Sequence, residues 1–154
     1  MSDSPAVTSS EEPRADQPWQ ERSGETWVTF EAQLDAQLDP FGRAVLDKLA
    51  PRRGERALDV GCGTGQTVIE LAELVGREGH VLGIDVAEPM LARARQRVQN
   101  AGLDQVKLER ADAATHAFEA SFDLAFSRFG VMFFESAVRA LKNAHRAQIG
   151  RAHV

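Results

Sequence analysis

Apolar residues along the N-terminal third fall at helical spacing. Trp27, Phe30, Leu34 and Leu38 recur every three or four positions, which predicts an amphipathic helix over 19–38. Pro40 is expected to stop or turn it, and FGRAVLDKLA (41–50) resumes the pattern with Val45, Leu46 and Leu49 on one face, ending at Pro51. Beyond Gly54 the period alternates between two and 3.6. RALDV (56–60), HVLGIDV (80–86), QVKLERAD (105–112) and FDLAFSRF (122–129) read as strands. GQTVIELAELVG (65–76) reads as a helix with Val68, Ile69, Leu71, Ala72 and Val75 inward. EPMLARARQRVQNAG (88–102) reads as another, with Pro89 in its first turn and Gly102 past its end. In ESAVRALKNAHRA (135–147), Ala137, Val138, Leu141 and Ala144 define the inward side. Strands alternating with helices imply parallel strands joined by crossovers, an α/β doubly wound sheet, here with four strands. No internal repeat is visible.

Composition narrows the picture. Residues 1–35 hold eight acids against Arg14 and Arg22, whereas the remaining 119 residues are near neutral, within an overall formal charge of −5. Residues 1–18, rich in Ser, Pro, Glu and Asp, are expected to be a disordered acidic tail. Residues 19–50 form the N-terminal helices and 51–147 the α/β domain. No broad basic face is present, which argues against nucleic acid as a partner. No stretch approaches the ~20 apolar residues of a membrane span, and the acidic N-terminus is unlike a signal or transit peptide, so a cytoplasmic location is expected. The single cysteine, Cys62, excludes an internal disulfide and a multi-cysteine zinc cluster.

Candidate chemistry concentrates in ERALDVGCGTGQT (55–67). A glycine loop leaving a strand and entering a helix lets backbone approach a ligand closely and turns helix N-terminal N–H groups toward it. The dinucleotide fingerprint G-x-G-x-x-G is not met, because Gln66 stands where its third glycine would fall. Asp85 ends the second strand 20 residues after Gly65, where a carboxylate can accept both ribose hydroxyls of an adenosine. Asp112 ends the third strand, within reach of an adenine amino group or serving as a helix cap. Asp59, inside the first strand, needs partners to offset its desolvation, and loop N–H groups or a ligand ammonium would provide them.

LDVGCGTG, VLGIDVAEPMLARAR, ADA and FDLAFSRFGVMFF, in this order, resemble class I S-adenosylmethionine-dependent methyltransferases, near the quinone-biosynthesis C-methyltransferases. The resemblance spans Leu38 to about Arg146 and implies a Rossmann-like fold with S-adenosyl-L-methionine as cofactor. It implies that Gly61, Gly63 and the adjoining backbone hold the methionine moiety, with Cys62 a small residue filling the turn and Asp59 near the ammonium. It places the ribose at Asp85, the adenine between Val86 and Met90 with its amino edge at Asp112 and Ala113, and Ser127 beside the sulfonium. Gln33, Leu38 and Phe41 are weaker candidates on a covering helix.

Methyl transfer is an in-line displacement at a carbon activated by positive sulfur, so alignment and exclusion of water dominate. A small-molecule methyl acceptor is expected. No catalytic base is assigned: His116 is expected to be a surface loop residue and Asp123 a strand-start cap. Arg128 and FGVMFF follow the fourth strand at the ligand-binding edge of an open sheet, with buried packing expected and an acceptor pocket the alternative. The alternative functions are an NAD(P)-dependent oxidoreductase and a non-catalytic nucleotide-binding module docking through its acidic tail. The family's sheet has seven strands ordered 3-2-1-4-5-7-6, and four are legible here. The ending IGRAHV followed by a stop matches the translation of a common sequencing adapter. Residues 148–154 are therefore expected to be a non-native tail on a truncated reading frame.

Overall fold

The computed structural model describes residues 23–119 and 121–152, so the expected tail over 1–18 and the helix start near Trp19 lie outside the described residues. Two helices, α1 (Gly24–Thr29) and α2 (Glu31–Leu49), precede β1 (Arg56–Val60), α3 (Gln66–Val75), β2 (His80–Asp85), α4 (Glu88–Asn100), β3 (Val106–Arg110), β4 (Phe122–Phe126), α5 (Ala137–Arg146) and β5 (Gln148–Ala152). A 3-10 turn, Gly130–Phe133, connects β4 to α5. All strands are parallel, in the order β3-β2-β1-β4-β5. The doubly wound α/β fold expected from the alternating periods is present.

The order reverses between β1 and β4, so their carboxyl ends diverge into two loops, 61–65 and 127–130. In open α/β sheets this switch point is where ligands bind. One core, with Leu46, Leu49, Leu71, Val75, Leu91 and Phe126, packs α2, α3 and α4 on one face. The other, with Leu58, Val60, Ile84, Ala125, Ala140 and Ala144, packs α5 and the 111–118 loop on the opposite face.

Four expectations are corrected. The helix break falls at Phe30 (φ −104°, ψ 18°), and α2 runs through Pro40 without stopping. Proline removes one backbone bond and crowds the preceding turn, but Leu46 and Leu49 are buried in the core beyond it, while Glu31 and Asp35 are ion-paired before it. On α3, Ile69 is only half-buried and Thr67 is buried instead. On α5 the buried residues are Ala140 and Ala144, whereas Val138 is 62% exposed. Finally, the sheet has five strands, not four, with β4 ending at Phe126. Beyond Phe126 the chain turns left-handed at Phe129 (φ 60°), which no extended strand accommodates. QIGRA carries little β-branched or aromatic signal, yet it follows α5 directly. It pairs with the otherwise open side of β4, with a register irregularity between Phe122 and Leu124.

Candidate functional site

At the switch point the backbone is drawn in tightly. The N–H groups of Gly61 and Cys62 both donate to the Ile84 carbonyl, at 2.9 and 3.0 Å. Gly63 N–H donates to Asp85 Oδ2 at 2.9 Å, and Ala87 N–H donates to Asp85 Oδ1 at 2.9 Å. Asp85 thus clamps the glycine loop to the start of α4. These backbone donors do not exhaust the roughly four lone-pair positions of a carboxylate, which leaves it acceptor capacity. Burial pushes its pKa up, opposed by the backbone donors of Ala87, Gly63 and Val86. The loop therefore does not offer the N–H groups of residues 61–63 to a ligand. What it offers there is Cα surface and carbonyl oxygen, which suits a cationic group better than an anion.

The glycines are required by contact. A Cβ on Gly63 would lie 2.9 Å from Met90 Cε, one on Gly65 2.9 Å from Ala94 Cβ, and one on Gly61 2.9 Å from Gly130 Cα. Each of these three glycines also has positive φ. Gly65 serves the α3–α4 packing that a dinucleotide fingerprint assigns to its third glycine, so Gln66 is released for other bonds. Its amide donates to Asp39 and Glu70 at 3.0 Å each and accepts from Arg128 at 2.6 Å.

A cleft opens above this loop. Of the ten candidate cofactor residues, Gly61, Cys62, Gly63, Asp85, Val86, Met90, Asp112 and Ala113 line it. Asp59 and Ser127 do not. Ser127 Oγ donates to the Val60 carbonyl at 2.6 Å, pinning the exit of β4 to that of β1. Asp59 is fully buried beneath the loop. Its Oδ2 accepts from the Thr67 hydroxyl, and Oδ1 has no partner among the described residues. Burial raises its pKa to about 7 against the lowering effects of Thr67 and Arg128. Cys62 is buried and its thiol is pushed up by the same desolvation, so it fills the turn as a neutral group. Asp112 Oδ1 accepts from Ala114 N–H at 2.8 Å, capping the 112–116 turn.

Leu38 lines the cleft, whereas Gln33 and Phe41 do not. Asp123 accepts from Arg56 N–H at 2.8 Å, at the amino-terminal end of the central strands away from the cleft, and caps the entry of β1 as expected. His116, also outside the cleft, packs edge-on against Phe118. Buried packing is corrected for FGVMFF: Met132 is 68% and Phe133 42% exposed, and Phe129, Gly130, Phe133 and Phe134 line the cleft with Arg128. Only Phe134 packs against the core; the close approach of Gly130 to Gly61 turns the rest of the segment outward. Trp27, Thr64 and Thr67 also line the cleft, and the helical pattern gave no reason to single them out. Asn143 on α5 was equally silent in sequence. Its amide donates to the carbonyls of Ala113 and His116, at 2.9 and 2.7 Å, and so fixes the turn that carries Asp112.

Residues 57–148 match a family model described as a methyltransferase domain. The chain belongs to the methyltransferase domain family. Its methyltransferase domain is 44% identical over 103 residues to aklanonic acid methyltransferase DauC of Streptomyces sp. (strain C5), covering 66% of this chain and 47% of that protein. It is 41% identical over 103 residues to the demethylmenaquinone methyltransferase of Geobacillus kaustophilus (strain HTA426), covering 66% and 44%. A solved SAM-dependent methyltransferase from Aquifex aeolicus superposes with a TM-score of 0.64 at 27% identity, covering 70% of this chain and 57% of that one. The chain spans about half the length of the curated relatives it matches. The family membership displaces the nicotinamide oxidoreductase alternative. Among the described residues, no helix is long and apolar enough to cross a membrane.

Proposed function

We propose that this chain carries the cofactor-binding part of an S-adenosylmethionine-dependent methyltransferase acting on a small-molecule acceptor. The observation that carries the reading is the Asp85 clamp. A strand-end carboxylate holds the glycine loop through Gly63 and still faces the cleft with unused lone pairs. The residues fit the group. Asp85 would accept from ribose hydroxyls, and Val86 and Met90 supply apolar surface beside Asp112 and Ala113 for the adenine. The carbonyl side of the 61–63 backbone meets the methionine end. Asp59 lies beneath the loop with one oxygen, Oδ1, unpartnered among the described residues. Bound there, the cofactor supplies a methyl group on positively charged sulfur. The chain's own work is to orient the acceptor and exclude water, for which the apolar wall of Trp27, Leu38, Phe129 and Phe133 is placed.

The small-molecule acceptor class is supported by the names of the two relatives, an aklanonic acid and a demethylmenaquinone methyltransferase. The division at residue 148, with a non-native segment after it, draws support from Gln148. Its side-chain amide is buried with neither polar atom partnered among the described residues, whereas buried polar groups are ordinarily hydrogen-bonded.

Calorimetry with S-adenosylhomocysteine tests the reading. Saturable binding is expected for the wild-type chain, with affinity reduced roughly 10- to 100-fold by Asp85→Ala, the range for lost hydrogen bonds to a charged group. A well-folded wild type that gives no heat would overturn the proposal.

A further inference from the structure

Among the described non-glycine residues, only Ala50 and Phe129 have positive φ. Ala50 follows α2 as a left-handed cap, a common helix ending. Phe129 (φ 60°, ψ −6°) has no such excuse, since glycine or asparagine would adopt this conformation at little cost. The conformation is imposed by its neighbours. Ser127 is tied to Val60, Arg128 donates to Gln66, and a Cβ on Gly130 would lie 2.8 Å from the Val60 carbonyl. With the chain held on both sides, residue 129 must turn left-handed. A phenylalanine there costs roughly 5- to 30-fold in the folding equilibrium relative to glycine.

The ring does not recover that cost as core. It is 37% exposed and lines the cleft, and its aromatic neighbour Phe41, 5.8 Å away and edge-on, is itself exposed. Across the same cleft wall Trp27 and Phe133 make a second edge-on pair at 6.3 Å. We propose that Phe129 is a specificity-determining residue: its left-handed backbone projects the ring into the cleft, where with Trp27 and Phe133 it receives an apolar, ring-bearing acceptor against the glycine loop. This deepens the methyltransferase reading above and rests on it. Aromatic rings reward another ring at 4.5–7 Å beyond simple burial, so a flat acceptor gains from the wall what a branched aliphatic one of equal area does not.

The test uses the whole chain with Trp19→Phe, leaving Trp27 as the only tryptophan, saturated with S-adenosylhomocysteine and titrated with 2-naphthol. Saturable quenching of Trp27 is expected, weakened at least tenfold by Phe129→Ala and Phe129→Leu and kept within threefold by Phe129→Tyr. S-adenosylhomocysteine affinity should stay within about twofold in all three. In urea, Phe129→Gly should unfold with an equilibrium constant about tenfold smaller than Phe129→Ala. No saturable quenching in the parent chain, Leu binding as well as Phe, or Ala as stable as Gly would each overturn the inference. Absence of S-adenosylhomocysteine binding in the parent chain is a separate result, and it overturns the cofactor reading instead.

Discussion

Asp59 shows what a single residue can be asked to do. It lies on the same strand face as Ala57 and is fully buried, with a carboxyl pushed up to about 7 chiefly by desolvation. Unfolded, it titrates near about 3.9. Between these values the folded chain holds a proton that the unfolded chain has released, so this contribution to stability is complete below about pH 4 and is lost as pH rises through about 7. Asp59→Asn removes the titration. In urea unfolding between pH 4 and 8, the variant should therefore gain on the wild type as pH rises, by at most ~1.4 kcal/mol per pH unit, and level off above about pH 7. A difference that does not change with pH would show that Asp59 is not held protonated. The sequence marked Asp59 as a buried carboxylate in need of partners. That its partner would be Thr67, in the first turn of the following helix, needed the strand and helix laid side by side.

At the scale of elements, α2 is two half-helices held by different forces. Beyond Pro40, Leu46 and Leu49 are buried in the core. Before it, Arg93 donates to both oxygens of Glu31 at 2.8 and 2.9 Å, and Arg97 donates to Asp35 at 2.9 Å. Arg128 lies 3.7 Å from the other Asp35 oxygen. These pairs press the first half of α2 against α4 and the glycine loop, and Leu38 onto the cleft. Desolvation of Glu31 raises its pKa but is outweighed by the Arg93 hydrogen bond, the leading cause of a net lowering. Pro40→Ala restores a backbone donor in mid-helix and should raise stability by about 1–3 kcal/mol, read as a higher thermal midpoint. An unchanged or lower midpoint would mean that the proline contributes packing the helix needs. The apolar spacing from Trp27 to Leu38 announced a helix, but the local rule for proline placed its end wrongly. Ion pairs sixty residues distant in sequence were invisible to it.

For the whole molecule the decisive fact is the β5 edge of the sheet. β5 is its outermost strand and pairs with β4 alone among the described residues. An edge strand presents unpaired N–H and C=O groups. If, as proposed, the segment from Gln148 onward is foreign to the domain, replacing it with a longer segment that adds a further strand covers the edge and removes the buried Gln148 amide. Such a protein should melt at least several degrees higher than this chain and sediment as fewer aggregates. A longer protein no more stable than the chain would count against the proposed boundary at 148.

The sequence by itself determined the alternation of strands and helices, the glycine loop, and the acids at the end of β2 and just past β3, which stops at Arg110. Each depends on local causes: a period of two or 3.6, a backbone conformation only glycine takes freely, a side chain at the end of a strand. Eight of the ten cofactor candidates line one cleft for that reason, because the carboxyl ends of parallel neighbours must lie together. Only the tertiary structure decided the rest. It directed the loop N–H groups into Ile84 and Asp85, set Asn143 beneath Asp112, carried α2 through Pro40 and paired β5 with β4. It also turned Phe129 left-handed into the cleft. These outcomes arise where segments distant in the chain compete for the same space and the same hydrogen bonds, and such competition leaves no trace in local spacing.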